Sequence, residues 1–267
     1  MPVALTRRDT LALAAILPAA PSRATAPERP DLRDLFLQNG VSGTFALLGA
    51  SHEETVLADA ARATRRFVPA STFKIPNSLI AFETGAVADP DAVQPYGGGR
   101  IRNPAWARDM SLRDAMAISN VPVFQGLARR VGLGRYRDWL ARLDYGSRDP
   151  GMVVDRFWLD GPLAISAIEE ARFNLRLAQT VLPASTRAQT LVHDIVRLES
   201  AGGATLYGKT GWFVRRGQTS IGWWTGWVER GSRIHAFTLN MDMPHSAMAP
   251  KRLEIGRAAL KLLRVYG

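Results

Sequence analysis

The chain contains no cysteine in 267 residues, which excludes disulfides, thiolate nucleophiles and cysteine-ligated zinc. Histidine is nearly as scarce. The four present (His52, His193, His235 and His245) show no HExxH or paired ligand spacing, so no metal site is expected. No apolar run approaches the roughly 20 residues needed to span a bilayer, and there is no internal repeat or low-complexity segment. Blocks of five or six like charges are also missing. The net charge of +10, from 34 basic and 24 acidic residues, is dispersed and mostly arginine. A scattered excess fits anionic substrates or surfaces and argues against nucleic-acid binding, which calls for a basic patch or stripe.

What remains is ordinary for a soluble globular protein, with 46% hydrophobic and 22% charged residues. The length suits one large domain or two interleaved subdomains. Thr6-Arg7-Arg8-Asp9, the apolar stretch Leu11 to Ala20 and Ala24-Thr25-Ala26 read as the charged, hydrophobic and cleavage regions of an export signal. Residues 1–26 are therefore expected to be a signal peptide and residues 27–267 one domain. The expected location is periplasmic or secreted, with no membrane anchor after cleavage. Pro27 makes the last step awkward, so cutting a few residues earlier is compatible, and Arg7-Arg8 permits twin-arginine export. Nothing in the sequence sets the oligomeric state.

After the Pro-rich stretch Pro27 to Pro30, Ser42–Leu48 and Glu54–Leu57 read as a hairpin, with a short run at Arg65–Val68. From Ser71 the pattern turns helical. Ser111 and Ser166 open capping-box-like helices, Val121–Val131 ends on Gly132, and further helices are expected at Tyr136–Leu143 and near Ser185–Ser200. Leu206–Val214, Ile221–Glu229 and Arg233–Met241 then read as an antiparallel meander, closed by a helix from about Pro250 to Val265. The order predicts an α+β fold: an antiparallel sheet of about five or more strands flanked by helices, with a mostly helical insertion between the early and late strands.

Ser71-Thr72-Phe73-Lys74 places a hydroxyl and an amine at i and i+3 of a helix start, on one face and within reach of each other. A serine hydroxyl is a weak nucleophile until a neighbouring base takes its proton. Ser119-Asn120-Val121, where a helix ends before Pro122, could relay that proton. Alone, it would read as a helix-end serine beside a solvated asparagine. Lys209-Thr210-Gly211 lies within a strand whose edge can present a cation and a hydroxyl, with Gly211 leaving room for a ligand to approach the backbone. The stretch Gly203 to Thr210 also matches G-x-x-x-x-G-K-T literally, but a phosphate-binding loop needs a helix after it, and here a strand continues through Trp212, Phe213 and Val214.

Together these motifs resemble the penicillin-recognising serine acyl-transferases, and within them the class D, oxacillinase-type serine β-lactamases. The likeness covers nearly all of residues 27–267. It rests on Pro69 to Ser78, Ser119 to Val121, Tyr145-Gly146, Phe157-Trp158-Leu159-Asp160-Gly161-Pro162-Leu163, and Tyr207 to Trp212. The resemblance implies the β-lactamase/transpeptidase-like fold and hydrolysis of β-lactams through a Ser71 acyl-enzyme. It also implies a Lys74 made neutral by burial and carboxylated by carbon dioxide, with no conventional cofactor. Lowering a lysine pKa to about 7 disfavours the ammonium by roughly 4.6 kcal/mol, which burial can supply. Phe73, Val121, Trp158 and Leu159 are the expected dry wall, with Trp158 Nε1–H donating to the carbamate. The same resemblance gives Ser119 and Lys209 proton transfer to the lactam nitrogen. The backbone N–H groups of Ser71 and Trp212 would hold the oxyanion, and Thr210 and Arg252 the substrate carboxylate, with Arg257 as competitor for the last role.

Two positions depart from the family pattern: Ser147 in place of asparagine after Tyr145-Gly146, and Glu170 in place of glutamine after Glu169. Glu170 and Asn174, at i and i+4, also permit a class A-like site with Glu170 as deacylation base. Against that, the second motif is not S-D-N, and Glu170 reads as a solvated residue in a helix's first turn. A β-lactam sensor or penicillin-binding protein that acylates without turnover is the other alternative.

Overall fold

The computed structural model describes residues 27–50, 55–99, 101, 103–214 and 217–267; the expected signal peptide of residues 1–26 lies outside them. In chain order the elements are α1 (Pro30–Leu37), β1 (Gly43–Gly49), β2 (Thr55–Leu57), α2 (Ala60–Thr64), β3 (Arg66–Phe67), a 3-10 turn (Ala70–Phe73) and α3 (Lys74–Glu83). Then come β4 (Val93–Gln94), a 3-10 turn (Pro104–Trp106), β5 (Met110–Ser111), α4 (Leu112–Ala117), α5 (Val121–Val131), α6 (Leu133–Leu143), β6 (Ile165–Ser166), α7 (Ala167–Ala178) and α8 (Thr186–Val196). The chain finishes with β7 (Arg197–Ala201), β8 (Ala204–Phe213), β9 (Ser220–Arg230), β10 (Arg233–Met243), a 3-10 turn (Ser246–Met248) and α9 (Lys251–Leu262).

Among the described residues six strands make one antiparallel sheet in the order β2-β1-β10-β9-β8-β7. β3 pairs with β6, and β4 with β5, as two-residue ladders. The early hairpin thus joins the late meander through β1 and β10, with the helical insertion α3 to α8 between them in sequence. Residue alternation explains why the sheet needs cover on both faces. Trp223 and Trp227 belong to the core shared with α7 and the helical layer, whereas Trp224 belongs to the opposite core, with Phe237, Ile255 and Leu260. α7 packs on β1, β9 and β10, and α1 and α9 cover the other face. α9 comes down so closely that a Cβ on Gly256 would lie 2.2 Å from the Trp224 ring.

The short elements α2, β4, β5 and β6 were not expected from the sequence, and two further elements differ from the sequence reading. α1 was not foreseen. Its Pro30 opens the helix, Asp31 lies in the first turn, and only Leu32 and Phe36, four residues apart, are buried; a stripe of two residues is a faint periodic signal. The helix expected near Ser185–Ser200 stops at Val196, and Arg197–Ala201 is an edge strand paired with β8. The apolar stripe ends at Ile195 and Val196, and Gly202-Gly203, with φ of +56° and +72°, close a tight hairpin of the kind that requires left-handed backbone. That hairpin also accounts for the phosphate-loop match: Gly203 turns into β8, which continues unbroken through Gly208-Lys209-Thr210 to Phe213.

Candidate active site

Ser71 lies in the 3-10 turn between β3 and α3. Ala70 has φ +52°, in the left-handed region, a conformation that costs a non-glycine residue on the order of 1 kcal/mol and persists only where its surroundings fix it. Here hydrogen bonds do so, among them the Thr72 N–H to the Pro69 carbonyl at 3.3 Å. Trp223 Nε1–H donates to the Val68 carbonyl at 3.0 Å, and the Thr72 hydroxyl to the Pro69 carbonyl at 2.9 Å. Lys74 begins α3, a helix buried from Lys74 through Phe82, and its Nζ is 2.8 Å from Ser71 Oγ. Pro76 in the first turn removes an N–H that has no helical partner anyway.

Lys74 is fully buried. Desolvation first, and the nearby charge of Lys209 second, hold its amine well below the ordinary lysine range. Its Nζ faces the Phe124 ring at 5.2 Å, a wall residue the sequence reading did not include. Phe73 stacks on Trp158 at 5.5 Å and meets Phe157, Tyr145 and Tyr136 edge-on or tilted. Trp158 is itself fully buried, and its Nε1–H has no partner among the described residues. An unpaired buried donor costs about 1–3 kcal/mol, so this N–H marks where an acceptor belongs. Val121 and Leu159, the other expected wall residues, are half-buried.

Ser119 occupies the link between α4 and α5 with φ +59°. Asn120 is not solvated, as the isolated reading had it, but fully buried. Its Oδ1 accepts the Val123 N–H and so caps α5, while Nδ2 donates to the Trp106 carbonyl. A capped helix start on one side and a helix end on the other leave the serine at the apex of the link. Trp106 Nε1–H donates to the Ile118 carbonyl at 3.1 Å, tying the preceding loop to the same place.

β8 brings Lys209, Thr210, Gly211 and Trp212 to the site. Lys209 is 6% exposed; burial, helped by Arg252, lowers its amine to about 7, and Nζ donates to its neighbour's carbonyl, Thr210 O, at 3.1 Å. Thr210 is half-buried and Trp212 37% exposed. Gly211 also has a reason within the protein. A Cβ there would lie 2.9 Å from the Pro69 carbonyl oxygen and 3.0 Å from Thr72 Cγ2. The glycine therefore admits the Ser71 turn itself against β8, which brings the Ser71 and Trp212 backbones to one place. Arg252 of α9 donates from Nη1 to the Gly211 carbonyl at 2.6 Å and lies over the Trp212 ring at 6.0 Å. Its competitor Arg257 is paired with Glu199 of β7 at 2.6 Å, so α9 delivers Arg252, not Arg257, to the β8 motif.

Glu170 overturns an expectation. It is fully buried rather than solvated, accepts the Tyr145 hydroxyl at 2.8 Å on Oε2, and leaves Oε1 without a partner among the described residues. Burial pushes its carboxyl up to about 7, against the opposing pull of the Tyr145 and Thr72 hydroxyls. Asn174 donates from Nδ2 to Thr225 Oγ1 at 2.6 Å, and its Oδ1, like Glu170 Oε1, has no partner among the described residues. The signal for this burial was available. Ala167, Glu170, Ala171, Asn174 and Ala178 fall at the spacing of one helix face, and all are buried. Ser147, the other departure, accepts the Ala164 N–H at 3.1 Å. Among the described residues no group of three or more acidic or histidine side chains is placed to hold a metal ion, and no helix is long and apolar enough to cross a membrane.

Residues 39–261 match the family model described as the penicillin-binding protein transpeptidase domain. The chain is 38% identical over 222 residues to β-lactamase OXA-5 of Pseudomonas aeruginosa, covering 82% of this chain and 83% of that protein. It is 38% identical over 226 residues to β-lactamase OXA-48 of Klebsiella pneumoniae, covering 85% of each. Among solved structures, FUS-1 (OXA-85), a class D β-lactamase from Fusobacterium nucleatum subsp. polymorphum, superposes with a TM-score of 0.87 at 37% identity, over 90% of this chain and 100% of that one.

Proposed function

The chain belongs to the class D β-lactamases, and from that membership we propose that it hydrolyses β-lactams through an acyl-enzyme on Ser71, with Lys74 as the base for both halves of the cycle. The observation that carries this reading is the Ser71–Lys74 contact of 2.8 Å in an enclosure where the amine is fully buried and held well below its ordinary range. A neutral amine there accepts the Ser71 O–H. The site also fits a carbon dioxide adduct on Nζ, because the Trp158 Nε1–H is a buried donor with no acceptor among the described residues. When bound, that group supplies an anionic oxygen base, active in attack by serine and in attack by water.

The remaining residues take their parts from position. Ser71 Oγ attacks the lactam carbonyl as its proton passes to the Lys74 side chain. The backbone N–H groups of Ser71 and Trp212, brought together by the close packing at Gly211, receive the developing oxyanion, a contribution of several kcal/mol when aligned. The lactam C–N bond then breaks, and the nitrogen takes its proton by way of Ser119 and Lys209. An amine poised near neutrality can give and regain a proton in each cycle. Thr210 and Arg252 hold the substrate carboxylate, and Val121 lines the wall beside them. Export of the chain to the periplasm, by the general or the twin-arginine route, completes the reading.

Turnover of nitrocefin after degassing at low pH, with and without added bicarbonate, tests this. Steady turnover restored by bicarbonate is expected. A single stoichiometric burst would indicate a β-lactam-capturing protein instead, and turnover indifferent to bicarbonate would remove the carbamate.

A further inference from the structure

Glu170 has no part in the chemistry above, yet it adjoins the turn that carries the nucleophile. The Tyr145 hydroxyl donates to its buried carboxyl at 2.8 Å, the nearby Thr72 hydroxyl favours its charged form while donating elsewhere, and Oε1 has no partner among the described residues. Thr72 follows Ser71 directly and has one hydroxyl proton to give. That proton goes to the Pro69 carbonyl at 2.9 Å and tightens a turn that the Thr72 N–H, at 3.3 Å from the same oxygen, holds more loosely. The same carbonyl and the Thr72 side chain form the surface on which β8 packs at Gly211, so a shift of Thr72 is felt at once by the backbone on either side of the oxyanion position. One proton faces two acceptors in a place with no slack.

We propose that Glu170 is a positioning residue for Ser71: while its carboxyl is neutral the Thr72 proton stays on the Pro69 carbonyl, and on ionising it draws that proton away and loosens the turn that aligns Ser71 with the Gly211-Trp212 backbone. The direction follows from acceptor strength, since a hydrogen bond to a carboxylate is roughly twice as strong as one to a neutral carbonyl. Burial places the change near neutral pH rather than below pH 5. Among the charges around it, Glu169 opposes its ionisation. Glu169 of the same helix is held by Arg66 of β3, and Asp242 of β10 is held by Arg62 of α2. The Tyr145 hydroxyl is pushed far up and stays protonated. Lys74 and Lys209 titrate in the same site.

This inference rests on the acyl-enzyme reading, and the test separates the two. Glu170→Gln keeps an acceptor for Tyr145 but cannot ionise. Rates of Ser71 acylation by a slowly released penicillin, followed by intact-protein mass from pH 5.5 to 9, are compared with wild type; the ratio cancels the titrations of Lys74 and Lys209 common to both proteins. The expected ratio is near one at pH 5.5, with E170Q threefold to tenfold faster at pH 8.5. Thr72→Ser should keep the alkaline fall of the wild type, and Thr72→Val should be slow and lack it. Parallel profiles, or a folded E170Q that is slow at every pH, would overturn the proposal while the acyl-enzyme reading stands. Absence of any adduct on wild-type Ser71 would overturn both. Should E170Q not fold, the Thr72 pair decides alone: a valine variant that retains the alkaline fall contradicts the proposal.

Discussion

Lys74, Lys209 and Glu170 are three ionisable groups out of water, and burial moves the amines and the acid in opposite directions. For Glu170 the consequence for stability can be signed. Its folded-state value of about 7 lies above the ordinary 4.5, so the folded protein holds a proton that the unfolded chain has already released. Stability from this group is present below pH 4.5, falls as pH rises towards 7, and is lost above, by about 3 kcal/mol at 1.36 per unit. Glu170→Gln should therefore be more stable than wild type by up to about 3 kcal/mol in urea unfolding at pH 8, with no such gain at pH 4.5; an equal gain at both would contradict the burial account. Lys209 runs the other way, since a folded value lowered from 10.5 to about 7 costs stability as pH falls through that window. For Lys74 the expected effect is on chemistry: Lys74→Ala leaves slow acylation at most and lowers turnover roughly 10²- to 10⁴-fold, the range for loss of a general base. The candidate residues 71, 74, 119 and 209 stand out in the sequence because their types and order are distinctive. Glu170 was misread because its residue type outweighed its place on the buried stripe of α7.

In the proposed reading α9 couples packing to substrate binding, because one helix carries both Gly256, flush on Trp224, and Arg252, bonded to the Gly211 carbonyl. Gly256→Ala would force a Cβ into the indole ring and cost about 1–3 kcal/mol as overpacking. The expected result is a lower Tm together with a raised KM for penicillins, as Arg252 moves with the helix; a lower Tm at unchanged KM would show that Arg252 does not hold the carboxylate. Asn120 couples two elements in the same way. Asn120→Ala removes the α5 cap and should cost about 1 kcal/mol, with kcat reduced because the Ser119 link loses its anchor. Helix starts were readable from Ser111 and Ser166, whose side chains accept the expected N–H groups. The end of α8 is not marked in the sequence, because the exposed residues of β7 carry no face pattern.

The site belongs to no single segment. As proposed, it is drawn from residues 71–74, 119–121, 158, 209–212 and 252, and the pairing of β1 with β10 closes the sheet that carries several of these segments. Three late strands rich in aromatic and β-branched residues made that sheet legible, and the order of strands and helices gave the α+β class. What the chain order could not convey is which polar groups the closed fold leaves dry, since burial is a property of the assembled sheet and helices together. Two of the chain's four lysines, Lys74 and Lys209, end in that dry space, and the unpartnered Trp158 N–H lies in the wall beside Phe73. The claim that most depends on this enclosure is carboxylation of Lys74. ¹³C NMR of the protein in labelled bicarbonate at neutral pH tests it directly. A carbamate resonance present in the wild type, absent in Lys74→Ala and lost on acidification in step with nitrocefin turnover is predicted; a spectrum with no protein-bound carbamate in a fully active enzyme would contradict the account.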